Sequence, residues 1–161
     1  MELQSSTVGI YVRQALAGMD AALDRFDDES VNRPPHGNQT NSAAALIVHA
    51  CATATYWCEH VGLGRPVERD RDREFEATAT VAELRDLVAM TSNRLTTLAV
   101  ALETGPTTLD HEWRDSLHGG DGSDGSLVLH VLEELFQHLG HLELTADAVN
   151  SVASPRPPDV R

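Results

Sequence analysis

The sequence predicts an all-α protein, a four-helix bundle in one domain. Three observations carry this. Apolar residues recur at spacings of three and four along four segments of about 20 residues each. No segment keeps the period of two that a half-buried strand requires. A chain of 161 residues with 41% hydrophobic content suits a single core.

The first helix is expected over 5–27, on the stripe Val8, Val12, Ala15, Leu16, Met19, Ala22, Leu23 and Phe26. Acidic residues crowd its end, and Pro34, Pro35 and Gly37 forbid its continuation. The second is expected over 42–61, opened by Asn41 or Ser42 as N-cap and closed by Gly62, Gly64 and Pro66. The run Glu68–Glu74 alternates arginine and acid and reads as a solvated loop. The third helix is expected over 81–104. Thr80 and Glu83 form a capping box ahead of it, Leu84, Leu87, Val88, Leu95, Leu98 and Leu102 line one face, and Gly105-Pro106 stops it. The glycine-rich stretch ending at Gly125 lacks the strand and the Lys-Ser/Thr of a phosphate loop and reads as a flexible connection. The fourth helix is expected over 126–150. That makes residues 1–150 the bundle and 151–161, with Pro155, Pro157 and Pro158, a disordered tail.

Twenty-five acidic residues against 12 basic ones give a formal charge of −13, and every basic residue is arginine. A surface this acidic opposes nucleic acid and anionic membrane. No apolar run approaches the roughly 20 residues of a membrane span, and no signal-peptide pattern opens the chain. A cytoplasmic, reducing location is expected. Cys51 and Cys58 fall on one helix about 10 Å apart at 1.5 Å per residue, too far for a disulfide. Buried thiols are the expectation.

Histidine placement is the informative feature. His130, Glu134, His138 and His141 are spaced 4, 4 and 3, which confines them to a helical stripe about 80° wide. Leucines and valines flank that stripe, and polar groups beside an apolar face are costly unless satisfied. A divalent metal would satisfy several at once. Glu134 and His138, one turn apart, can grip one ion, and a third ligand must come from another element. His49, in the apolar stretch Leu46-Ile-Val-His49-Ala-Cys51, is the natural candidate. Thr53, Tyr56 and His60 share its helical face, whereas Cys51 and Cys58 point nearly opposite. His60 is about 16 Å from His49 along the helix, so the two cannot share an ion. His36, His111 and His118 fall in loops.

Three stretches resemble the DinB-like superfamily of metal-binding four-helix bundles, and within it the mycothiol-dependent maleylpyruvate isomerases and related S-transferases. They are Leu46-Ile-Val-His49 with Tyr56-Trp57 and Gly64-Arg-Pro66; Arg71-Asp-Arg-Glu-Phe75 leading into Thr80-Val-Ala-Glu-Leu84; and Leu129-His-Val-Leu-Glu-Glu134-Leu-Phe-Gln-His138-Leu-Gly-His141. The resemblance implies a metal held by His49, Glu134 and His138. Glutamate at the first position of Glu-x-x-x-His looks like the mycothiol-dependent branch. The isomerases carry a further C-terminal domain, which is not expected here, so maleylpyruvate isomerisation itself is not the expected activity.

The function so implied is a metal-dependent thiol transferase. A divalent ion, Zn²⁺ first with Ni²⁺, Fe²⁺ or Mn²⁺ as alternatives, would activate mycothiol as cosubstrate to attack a small electrophile. His141 would serve as proton shuttle or supporting partner, and His130 could act from the other side. The expected partners are a small-molecule thiol and an electrophile, with neither nucleic acid nor membrane, and the chain is expected to be a monomer or homodimer. A non-enzymatic metal-binding or stress-response protein and a metal-dependent hydrolase are the alternatives.

Overall fold

In the computed structural model, which describes residues 4–38, 40–104 and 124–153, the expected bundle forms. Helix α1 spans Ser5–Leu23, α2 Ala43–Tyr56, α4 Val81–Thr104 and α5 Asp124–Ala153, with a short helix α3 at Arg71–Phe75. A 3₁₀ turn, Ser30–Asn32, and a four-residue strand β1, Pro35–Asn38, join α1 to α2. None of the described helices is long and apolar enough to cross a membrane.

Helix ends follow from side-chain competition for backbone groups. Ser42 Oγ accepts from the amide of Ala45 at 3.1 Å and starts α2. The capping box forms as expected: the Thr80 amide donates to Glu83 Oε2 at 2.8 Å, and the Glu83 amide donates to Thr80 Oγ1 at 3.2 Å. Asp28 Oδ1 accepts from the Val81 amide at 2.8 Å, tying the α1–α2 connection to the start of α4.

Four expectations need correction. α1 stops at Leu23 rather than at residue 27. The amides of Asp24, Arg25 and Phe26 reach back only three residues, and Asp27 instead takes the Ser30 amide at 2.7 Å and its hydroxyl at 2.6 Å. A short aspartate side chain offers the backbone a turn, which here beats the helix. At the other end α5 runs on to Ala153, so residues 151–153 are helix rather than tail. The third correction concerns the charged run. Asp70 Oδ1 accepts from the Arg73 amide at 3.2 Å and caps α3, and Glu74 is only 7% exposed. The alternating charges conceal a buried carboxylate. Of the expected glycine-rich connection ending at Gly125, the part up to residue 123, with His111 and His118, lies outside the described residues, as does the tail from 154, whereas Asp124 and Gly125 are the first residues of α5 rather than loop.

α1 packs against α4 and α5, and α2 packs against α5 and α4, so the helices stand in the ring order α1–α4–α2–α5. The centre is filled by Leu16, Met19 and Leu23 of α1, Ile47, Ala50 and Ala54 of α2, Leu84, Val88 and Leu95 of α4, and Leu127, Val131, Leu135 and Leu142 of α5. These match the sequence stripes. α2 differs from the other helices in being buried on nearly every side, from Ala43 to Thr55. Its alanines let neighbours approach closely, and such a helix needs cover all round.

α2 passes into a π-helical turn, Trp57–Gly62. Glu59 within it is buried and meets Arg94 of α4 through Nε at 2.8 Å and Nη2 at 2.5 Å. Gly64, with φ 64°, then reverses the chain, and the Arg65 amide returns to the Glu59 carbonyl at 2.9 Å. An L side chain at that φ is strained. Gly64→Ala should therefore cost about 1–2 kcal/mol, seen as a lower urea midpoint with an unchanged slope.

Candidate metal centre

An imidazole on a fully buried helix must find partners, since an unpaired polar group there costs several kcal/mol. His49, 5% exposed, finds one in the charged run. Its Nδ1 lies 2.7 Å from Glu74 Oε2. Arg69 holds the same carboxylate with its fork, Nε to Oε1 at 2.7 Å and Nη2 to Oε2 at 2.9 Å, and Nη2 also donates to Thr53 Oγ1 at 2.5 Å. Phe75, the last residue of α3, stacks on the His49 ring at 4.4 Å between centroids. The Arg69 guanidinium lies 5.6 Å from the centre of the Tyr56 ring. Thr53 and Tyr56, expected on the face of His49, thus form the bed on which Arg69 lies.

Burial pushes the His49 imidazole below its ordinary pKa, and the hydrogen bond to Glu74 offsets only part of that. Burial would raise Glu74, but the Arg69 and His49 hydrogen bonds outweigh it and hold the carboxyl below its usual range. The arrangement is a neutral imidazole beside an ion pair.

α5 supplies the other wall. Glu134 and His138 are half-buried, with His138 Nε2 3.3 Å from Glu134 Oε2. The His138 hydrogen bond lowers the Glu134 pKa despite burial. The His49 and His138 rings meet edge to face at 4.8 Å. One ligand atom from each of His49, Glu134 and His138 lies within 4.8 Å of the others, so the three residues singled out from spacing do converge. Donors on one tetrahedral ion with bonds near 2 Å stand about 3.3 Å apart. Closing the gap takes at most about 1.5 Å of side-chain adjustment on that geometry. Among the described residues, His138 Nδ1 is the single buried side-chain polar atom without a hydrogen-bond partner. Two imidazoles and a carboxylate, one ring nitrogen of them orphaned, fit a divalent metal.

The triad lines a cleft of about 430 Å³ shared with Asn41, Trp57, Arg71, Gln137 and His141. His141, exposed, has its ring 6.2 Å from that of His138. His130 sets its ring edge to face with Trp57 at 4.5 Å, and its Nε2 lies 3.9 Å from Glu134 Oε1. Neither belongs to the ligand cluster. His60 stacks on Tyr56 at 4.7 Å, and His36 is exposed on β1. Both cysteines are buried, and neither belongs to the cluster. Burial pushes Cys51 up to about 11 and Cys58 up to about 12.

Sequence reasoning missed Arg69, Glu74 and Phe75 as parts of the site. The available signal was faint: an aspartate three residues ahead of an arginine amide, and one phenylalanine closing a stretch otherwise made of charges.

The sequence profile of the DinB superfamily matches residues 11–142, most of the chain, and the protein belongs to that superfamily. No match is found among curated proteins or among solved structures.

Removing one partner of a buried ion pair leaves an uncompensated charge. Arg69→Met should therefore lower the free energy of unfolding by about 3 kcal/mol. Arg73→Ala, which breaks only an exposed pair with Asp70, should change it by less than about 0.5 kcal/mol. Urea denaturation of the two variants checks this.

Proposed function

We propose that this DinB-superfamily bundle holds a divalent metal ion, zinc foremost, at His49, Glu134 and His138, and works as a transferase that joins an external low-molecular-weight thiol, mycothiol, to a small electrophile. The observation that carries the reading is the convergence of three ligands from two helices in an open cleft, with no fourth donor in the cluster among the described residues. Three protein ligands and a free position are the arrangement of catalytic rather than structural zinc. A bound ion supplies Lewis acidity that favours the thiolate over the thiol.

The chain's own residues do the rest. Asn41, Arg71 and Gln137 in the cleft offer hydrogen bonds to the hydroxyl groups of a sugar-bearing thiol, and Trp57 and Phe75 offer apolar faces. His141 stands at the exposed side of the triad, where an imidazole can accept the thiol proton. The two cysteines of the chain, Cys51 and Cys58, are buried and held as thiols. That supports an external thiol, as does the likeness of Glu134-x-x-x-His138 to the mycothiol-dependent branch.

Metal analysis after dialysis should find one divalent ion per wild-type chain. His49→Ala, Glu134→Ala and His138→Ala should each weaken binding by more than the 10–100-fold typical of losing an outer partner, whereas His60→Ala should not matter. Turnover of an aryl halide should require mycothiol and survive Cys51→Ser combined with Cys58→Ser. Hydrolysis without any thiol would make the protein a metal-dependent hydrolase instead. Stoichiometric metal without turnover of a panel of electrophiles would make it a metal-binding protein.

A further inference from the structure

We propose that Glu74, backed by Arg69, is a positioning residue for His49: it accepts the Nδ1 proton, fixes the imidazole as the Nδ1–H tautomer and leaves Nε2 bare for the cleft. The tautomer assignment stands on the local geometry alone. The use of Nε2 as a metal ligand rests on the function proposed above.

Nδ1 has two polar neighbours, Glu74 Oε2 at 2.7 Å and Arg69 Nη2 at 3.4 Å. Only one assignment of the proton suits both. A guanidinium can only donate. If Nδ1 were bare it would accept from Arg69 across a distance longer than a normal hydrogen bond. It would also set its lone pair against a carboxylate oxygen at 2.7 Å, two acceptors facing each other. If Nδ1 carries the proton, it donates to Glu74 at an ideal length. Arg69 Nη2 then spends its hydrogens on Glu74 at 2.9 Å and Thr53 at 2.5 Å, contacts shorter than the one to His49.

The charge balance agrees. Arg69 cancels Glu74 within the buried cluster, so the imidazole need not become cationic to satisfy the carboxylate. Phe75 stacked on the ring holds its plane, so tilting Nδ1 out of that plane would cost this contact as well as the hydrogen bond. Arg69, Glu74 and Phe75 lie within seven consecutive positions around α3, a helix of five residues. The segment the sequence presents as surface charge thus orients one histidine. Groups that hold the far nitrogen of a metal-bound histidine fix its tautomer and raise its basicity, and losing them costs 10–100-fold in affinity.

Two measurements test this, with zinc as the probe. Nitrogen NMR of the histidine rings in the metal-free wild type should show His49 protonated at Nδ1 with Nε2 bare; a proton on Nε2 would overturn the proposal. Zinc titration of Glu74→Gln should show affinity about 10–100-fold below wild type, whereas Glu76→Gln, an exposed carboxylate two residues on, should leave it unchanged. Glu74→Gln binding zinc as tightly as wild type would also overturn it. Should Glu74→Gln fail to fold, the wild-type ring spectrum still decides. A wild type that binds no zinc, yet shows the Nδ1–H tautomer, would sink the metal reading and keep the positioning role.

Discussion

A histidine placed among alanines on the most buried helix of the bundle is the constraint from which the rest of the site follows. His49 is 5% exposed, and a histidine so buried takes its partner for Nδ1 from the protein itself. The partner comes from a stretch of chain that the core does not need. The π turn ends α2, Gly64 reverses the direction, and the following residues return along α2 to lay Arg69, Glu74 and Phe75 over it. Three irregular features of the bundle lie on that return path: a wide turn, a left-handed glycine and a five-residue helix.

The two walls of the site differ physically. On the α2 side Nδ1 of His49 and both carboxylate oxygens of Glu74 are engaged, and the imidazole is packed against an aromatic ring. On the α5 side Glu134 and His138 are half-buried, and one ring nitrogen of His138 has no partner. One candidate ligand is held in advance, and the other two have room to move. Arginine suits such a scaffold. Its fork takes a carboxylate with two bonds at once, as Arg69 does with Glu74 and Arg94 with Glu59. Arg85 bridges Asp20 and Asp24 at 2.8 and 2.5 Å, and Arg25 meets Asp147. With 12 arginines and no lysine against 25 acids, the chain directs several of its few cations into defined bridges between elements.

How much was legible in the sequence depended on period and range. The four stripes were readable because helical burial repeats every three to four residues, and α4 begins where its capping box places it. Glu134 and His138 were readable because both sit on one helix, and His49 because a lone imidazole in an apolar run demands an explanation. Glu74 was not, for the opposite reason: it is flanked by charges, and nothing local distinguishes a carboxylate that will be covered from one that will be solvated. Its burial comes from a histidine 25 positions earlier in the chain. Asp27 was misread for a smaller reason, since the choice between one more helical turn and a side-chain turn rests on the hydrogen bonds that one residue, Asp27, makes with Ser30.

The central claim is that His49, Glu134 and His138 bind one divalent ion while the buried thiols stay out of its coordination. X-ray absorption at the zinc edge of the zinc-loaded protein reads that coordination directly. The account predicts nitrogen and oxygen neighbours at about 2.0–2.2 Å, with the outer scattering of two imidazole rings and room for one further light atom. Sulfur at about 2.3 Å, or fewer than two imidazoles, would contradict it.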